Sequence, residues 1–186
     1  MLFFFRIASV VTKKGVLCMA DITLKGEECH TSGILPQVGS KAPNFALTDK
    51  DLSNKHLSDF QGKVKFIYAV PSLDTETCLL STKKFNERAK DFPDVVFITV
   101  SADLPFAHKR VCSAEGIQNV ITLSMMKNRD FSRDYGTFIT DGPLEGLSAR
   151  AVIILDADNK VIYTELVPEI SDEPDYEKAY ACLKHG

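Results

Sequence analysis

What the chain lacks narrows its function first. It has no excess of positive charge: 22 Lys and Arg against 25 Asp and Glu give a net charge of −3. A nucleic-acid binder would normally show a basic face. The only basic clusters are pairs such as Lys13-Lys14 and Lys83-Lys84, which read as solvated positions. There is no low-complexity tract, because the ten Gly and eight Pro are scattered. Charged residues at 25% and hydrophobic ones at 45% are ordinary values that exclude wholesale disorder, collagen and coiled coil. No CxxC pair occurs, which removes the zinc ribbon and the thioredoxin-type dithiol motif. No apolar run approaches the ~18 residues that span a bilayer, so no membrane partner is expected.

What remains is a slightly acidic chain of 186 residues, a length that predicts one domain able to bury its own core without staples. Its five cysteines are Cys18, Cys29, Cys78, Cys112 and Cys182. An odd number spread this widely is not a secreted disulfide framework. Cys29-His30 and Cys182-x-x-His185 make a metal site only on paper, since adjacent Cys and His rarely reach one ion; no metal is expected. At the N-terminus, Met1-Leu2-Phe3-Phe4-Phe5 is apolar but Lys13 and Lys14 come late, the reverse of a secretory signal. Residues 1–18 read as a dispensable or spurious extension with Met19 as the functional start, against the alternative of a weak targeting or interfacial anchor. A single domain is then expected over 19–186, in the reducing cytoplasm.

Periodicity supplies the order of elements. A hairpin is expected over Ile22–Thr31 around Gly26, a loop over Pro36–Pro43, and a short strand over Asn44–Thr48. Val64–Val70, stopped by Pro71, and Val95–Val100 read as buried strands. Between them Thr75–Phe92 is helical, with Leu79, Leu80, Phe85 and Ala89 available for one face. Leu104–Glu115 is a second helix with Pro105 in its first turn and Gly116 at its end. Asn119–Leu123 is a strand, Met125–Gly136 carries a turn or two of helix, and Asp141–Gly146 is a loop. Ala151–Leu155 and Lys160–Leu166 form a hairpin, and Glu173–Leu183 is a final amphipathic helix. The order β-α-β-α, then β-β-α, predicts an α/β thioredoxin-like fold: a central mixed sheet flanked by helices, with an N-terminal hairpin.

Ligands of α/β sheets collect beyond the carboxyl ends of the strands. There the segment from Pro71 places Cys78 in the first turn of a helix, where unpaired N–H groups and the dipole favour a thiolate. Thr75 is close enough to share the pocket. From local physics alone two readings stay open: a nucleophilic cysteine, or a buried filler with Thr75 or Asp74 as N-cap.

A resemblance in residue pattern favours the first. Pro71-x-x-x-Thr75-x-x-Cys78 resembles the active-site motif of peroxiredoxins. The run Val70–Thr75 and the segment Ser81-x-Lys83-Lys84-Phe85-Asn86 resemble the thiol peroxidase subgroup, as do Ser101-Ala102-Asp103-Leu104-Pro105-Phe106-Ala107 and Cys112-x-Ala114-Glu115-Gly116. Gly142-Pro143-Leu144-x-Gly146-Leu147-x-Ala149-Arg150-Ala151 and Glu173-Pro174-Asp175-Tyr176 extend the resemblance over about Ile22–Lys184.

The resemblance implies Cys78 as the peroxidatic cysteine, oxidised by a hydroperoxide to a sulfenic acid. It implies Thr75 as a hydroxyl on thiolate and peroxide, Arg150 as positive charge for thiolate and developing oxyanion, and Pro71 as a shield shaping the loop. Cys112, 34 residues downstream, would be the resolving cysteine of an atypical two-cysteine enzyme. A Cys78–Cys112 disulfide would then be reduced by thioredoxin or a similar dithiol. Because bridged Cα atoms must lie within about 7 Å, local unwinding around both cysteines is expected. Such chemistry needs no metal, haem or flavin cofactor, and the resemblance implies a homodimer. Thr77 stands where the family usually has Val, and Val111 and Ser113 where Phe and Gly are usual. Cys29 and Cys182 have no counterpart and read as incidental thiols. Two other functions use the same sequence: a peroxide-sensing redox relay, and a non-catalytic thioredoxin-fold module or metal-binding protein.

Overall fold

The computed structural model describes residues 7–12 and 15–184. The expected 1–18 extension therefore falls partly outside the described residues, as does His185. The first three strands, β1 (Ile7–Thr12), β2 (Gly15–Leu24) and β3 (Glu27–His30), form an antiparallel sheet in that order. The expected hairpin is the β2–β3 pair, turned at Lys25 and Gly26, both at positive φ (54° and 83°). That conformation is what a two-residue hairpin turn requires and what Gly adopts without strain. β2 begins at Gly15, ahead of Met19, and pairs with β1 from Thr12↔Gly15 to Ile7↔Ala20.

The remaining elements follow the expected order. They are β4 (Ala46–Asp49), β5 (Asn54–His56), β6 (Val64–Ala69), α1 (Glu76–Arg88), β7 (Val95–Ser101), α2 (Pro105–Glu115) and β8 (Val120–Ser124). Next come α3 (Asp130–Asp134), β9 (Ala151–Leu155), β10 (Val161–Leu166) and α4 (Tyr176–Leu183). Seven strands make one mixed sheet in the order β10-β9-β6-β7-β8-β4-β5. β6, β7 and β8 are parallel, as helical crossovers demand, and the β9–β10 hairpin adds antiparallel strands at one side.

Alternation along the central strands divides the core into two layers. Phe66, Tyr68 and Val70 share one apolar cluster with Phe85 of α1, Val111 and Cys112 of α2, and Ala179 and Tyr180 of α4. Ile67 and Ala69 point the other way, into a cluster with Ile22, Phe45, Leu57 and Phe131. Both cysteines of interest, Cys78 and Cys112, belong to the helix-side layer.

Several boundaries shift for local reasons. α1 starts one residue after Thr75 and ends at Arg88, followed by a 3-10 turn over Ala89–Asp91. Its buried face is Cys78, Ser81, Thr82 and Phe85, while Leu80 is 44% exposed; the expected use of Leu80 as core is corrected. α2 begins with Pro105 and stops at Gly116, whose φ of 67° is the left-handed cap. α4 starts at Tyr176 rather than Glu173, because a residue before proline avoids helix and Asp175 caps Lys178 N at 3.1 Å instead. Three-residue β5 is an addition, too short for alternation to signal. Among the described residues no helix is long and apolar enough to cross a membrane.

Candidate active site

Strand β6 ends at Ala69, and Val70 and Pro71, both buried, carry the chain past the carboxyl end of the strand towards α1. Cys78 sits in the first turn of α1 with only 1% of its surface exposed. Thr75 is the N-cap in extended conformation but makes no side-chain capping bond. Its hydroxyl donates instead to Ser72 O at 3.0 Å. To serve a thiolate that proton must leave the carbonyl, so the expected Thr75–Cys78 hydrogen bond requires a rotation of the side chain.

Arg150 approaches from the opposite side. It immediately precedes β9, the antiparallel neighbour of β6, and is 2% exposed. Nη2 donates to Cys78 Sγ at 3.4 Å and to Ile170 O at 2.8 Å, Nε to Ile170 O at 3.1 Å, and Nη1 to the Tyr68 hydroxyl. Burying a charge costs several kcal/mol unless it is hydrogen-bonded; here every nitrogen of the guanidinium is engaged. A planar fork pinned on both sides aims a further N–H at one sulfur, and a donor of this kind binds an anion more strongly than a neutral thiol.

Two residues of this constellation were not singled out by sequence. Tyr68 is 1% exposed, and burial pushes its hydroxyl far above the ordinary tyrosine value, with Arg150 only partly opposing. It remains a phenol that accepts from Arg150. Its signal was its place in a buried strand, where a hydroxyl must find a partner. Ile170 contributes a backbone oxygen, which no side-chain pattern announces. Its segment is fastened from both sides. Ile170 N donates to Thr23 O at 2.8 Å in the N-terminal hairpin, and Thr77 Oγ1 of α1 donates to Ser171 O at 3.1 Å. The departure at Thr77 thus ties the cysteine's helix to the segment that holds Arg150.

Cys112 lies near the end of α2, 9% exposed, with Sγ 3.8 Å from Thr122 Oγ1 of β8. Burial raises its thiol above the ordinary value, and the Thr122 hydroxyl opposes this only partly. Cys78 and Cys112 are both free thiols. Val111 is buried beside the second thiol and Ser113 is exposed. The other described cysteines stand apart: Cys29 is buried on β3 beside Gly142, and Cys182 is half-buried on α4, each with its thiol raised by burial.

Comparison with known proteins gives the family. Residues 37–180 match the redoxin family, a span that includes Cys78, Cys112 and Arg150. Thiol peroxidases of two Leptospira interrogans serovars, copenhageni and Lai, are 50% identical over 166 residues, covering 88% of this chain and 97% of theirs. Among solved structures, a peroxiredoxin-like protein from Aquifex aeolicus superposes with a TM-score of 0.85 at 42% identity, over 90% of this chain and 98% of its own. A thiol peroxidase from Chromobacterium violaceum gives 0.83 at 28% identity, over 89% and 96%. The thioredoxin-like sheet, the redoxin match and half-identity to named enzymes lead to one assignment: the chain belongs to the redoxin family, as a thiol peroxidase of the peroxiredoxin type.

Proposed function

We propose that the chain reduces hydrogen peroxide and small organic hydroperoxides with Cys78 as peroxidatic and Cys112 as resolving cysteine. The Cys78 thiolate attacks the terminal peroxide oxygen; the O–O bond breaks, sulfur becomes a sulfenic acid, and the departing alkoxide or hydroxide takes a proton to leave as alcohol or water. The observation that carries this reading is the Arg150 guanidinium on Cys78 Sγ, charge of the right sign for both thiolate and departing oxyanion. Pro71, buried where β6 runs out, keeps water from the sulfur, and Thr75 turns its hydroxyl to the reacting atoms.

In the second step the Cys112 sulfur displaces the sulfenic oxygen, which leaves as water with the thiol proton, forming a Cys78–Cys112 disulfide. Thioredoxin or a similar dithiol then exchanges with that bond, being oxidised as both thiols are restored. We take the working unit as a homodimer on the family resemblance, and its compartment as the reducing cytoplasm.

The decisive experiment is a non-reducing peptide map of the reduced protein after one equivalent of hydrogen peroxide. A Cys78–Cys112 linkage that disappears in Cys78→Ser is expected. Another linkage, or thiols that stay free, overturns the assignment.

A further inference from the structure

Behind the loop that leads into α1 lies a hydrogen-bond network that the steps above do not use. Asp103, just past the end of β7, accepts Ser72 Oγ at 2.8 Å on one carboxylate oxygen. Its other oxygen accepts Leu73 N at 2.7 Å and Ser101 Oγ at 2.7 Å. Two of these donors belong to the segment that delivers Cys78. The backbone of Asp103 is itself fixed: its carbonyl accepts Ser124 Oγ from β8 and its N–H donates to Ser101 Oγ at 3.3 Å.

Counting protons orders the rest of the network. A serine hydroxyl has one proton, and Ser101 gives its own to Asp103. Towards His108 Nε2, 2.7 Å away, Ser101 can only accept, so His108 donates from Nε2. His108 is wholly buried on α2, one turn ahead of Cys112, and among the described residues its Nδ1 has no hydrogen-bond partner. Burial lowers its basicity despite Asp103, in keeping with a neutral ring that has one proton and spends it on Ser101. A second, exposed tie runs alongside: Arg110 of α2 pairs with Asp74 of the loop at 2.8 Å.

We propose that Asp103 is a positioning residue that couples the two cysteine-bearing helices. It holds Ser72 and Leu73 so that α1 starts with Cys78 against Arg150, and it is braced from α2 through Ser101 and His108. This rests on Cys78 and Cys112 being the reacting pair. The same hold opposes the second step. Joining two sulfurs at about 2.05 Å requires Cα atoms within about 7 Å, while Cys112 Sγ faces Thr122 on β8. The unwinding expected for that step moves the Ser72–Cys78 segment or α2; Asp103 holds the first directly and reaches the first half of α2 through Ser101 and His108. The network therefore favours peroxide attack and restrains disulfide closure.

Opposite effects on two steps make the test. Quenched-flow mass spectrometry after a pulse of hydrogen peroxide counts sulfenic acid and disulfide on one time axis, with thermal melts as a check on folding. Asp103→Ala is expected to slow sulfenic acid formation about 10- to 100-fold, the scale of a misplacement of roughly 1 Å, while closure to the disulfide accelerates; closure at the parent rate overturns the restraint. Ser72→Ala, which removes one donor and leaves the carboxylate, shifts both steps in the same directions by less, and it decides the matter if Asp103→Ala does not fold. His108→Gln retains an N–H donor for Ser101 and keeps more of the peroxide rate than His108→Leu. Folded variants in which both steps slow together, or neither changes, overturn the proposal. Absence of a Cys78–Cys112 disulfide in the unaltered protein instead overturns the assignment of the pair, and the same samples report it.

Discussion

Cys78 and Cys112 share one apolar layer and are both nearly inaccessible, yet their sulfurs face opposite surroundings. Cys78 meets a buried guanidinium that Tyr68 and Ile170 hold in place. Cys112 meets one hydroxyl at 3.8 Å and otherwise side chains of the core. Only Cys78 has a cation within hydrogen-bonding reach; at Cys112 the Thr122 hydroxyl and the charge of Lys50 oppose burial only partly. The difference assigns labour by environment rather than by accessibility. In the proposed mechanism one sulfur attacks in place as an anion, and the other is stored as a thiol until the end of α2 loosens.

The largest way to break that contrast is to remove its cation. Arg150→Ala is expected to lower the second-order rate of Cys78 oxidation by about 10²–10³, the usual cost of deleting a preorganised donor at a developing charge. The following disulfide step should change far less. Arg150→Lys, which brings a point charge without the fork, should recover only part of the loss. Stopped-flow competition for peroxide against a reference peroxidase measures the first step. A wild-type rate in Arg150→Ala would mean that the guanidinium is structural.

Next in size is the pH dependence of disulfide closure. Burial raises the Cys112 thiol above its ordinary value in the folded chain. The sign for stability follows. The folded state then holds the proton more tightly than the unfolded one, so this stabilising contribution is complete below the unfolded pKa and is lost as pH rises through the higher folded value. Rising pH therefore loosens the end of α2 and also supplies thiolate. Because the opened thiolate is drawn from the folded thiol, closure after local unwinding should accelerate about tenfold per pH unit past the ordinary cysteine value of about 8.5 and level off only at the raised folded value. Quenched-flow rates of disulfide formation between neutral and strongly alkaline pH test this. Levelling at the ordinary value instead would mean that Cys112 is already unburied before closure, and would remove its restraint from the scheme.

The sequence made the frame of this site legible because its signals are local. Runs of buried character mark β6 and β7, Pro105 and Gly116 bracket α2, and Cys78 stands three residues past an N-cap. Periodicity misassigned Leu80, since α1 turns Ser81 and Thr82 to the core instead; a residue pattern reports which side chains are apolar, not which neighbours can satisfy a hydroxyl. Ser81 is satisfied by Thr77 O within its own helix at 2.8 Å and by the Tyr176 hydroxyl at 2.9 Å from α4, a partner 95 residues away in sequence. The grip on Arg150 was hidden for the same reason. It consists of a backbone oxygen and a tyrosine on a different strand, brought together only by the β6–β9 pairing. Asp103 was visible as part of a motif, but its hold on Ser72 and Leu73 depends on a loop-to-loop distance that no spacing encodes.

Tyr68 offers the finest test of the contrast, because it belongs to both sides. Its ring stacks edge-on against Phe85 in the apolar layer, with centroids 4.9 Å apart, while its hydroxyl accepts from Arg150. Tyr68→Phe keeps the ring and deletes the acceptor, separating packing from charge. The guanidinium retains Ile170 O and Cys78 Sγ, so it stays in the pocket with one donor unsatisfied. An unmet buried donor costs about 1–3 kcal/mol, part of which water or a small shift recovers. The peroxide step should fall by roughly three- to tenfold, where each 1.4 kcal/mol is a factor of ten, and the melting temperature by a few degrees. Disulfide closure, which does not need the guanidinium, should stay within about twofold of the parent rate on the same scale. A variant that instead slowed both steps equally would show Tyr68 acting through the shared core, and the two cysteines would no longer be distinguished by what faces them.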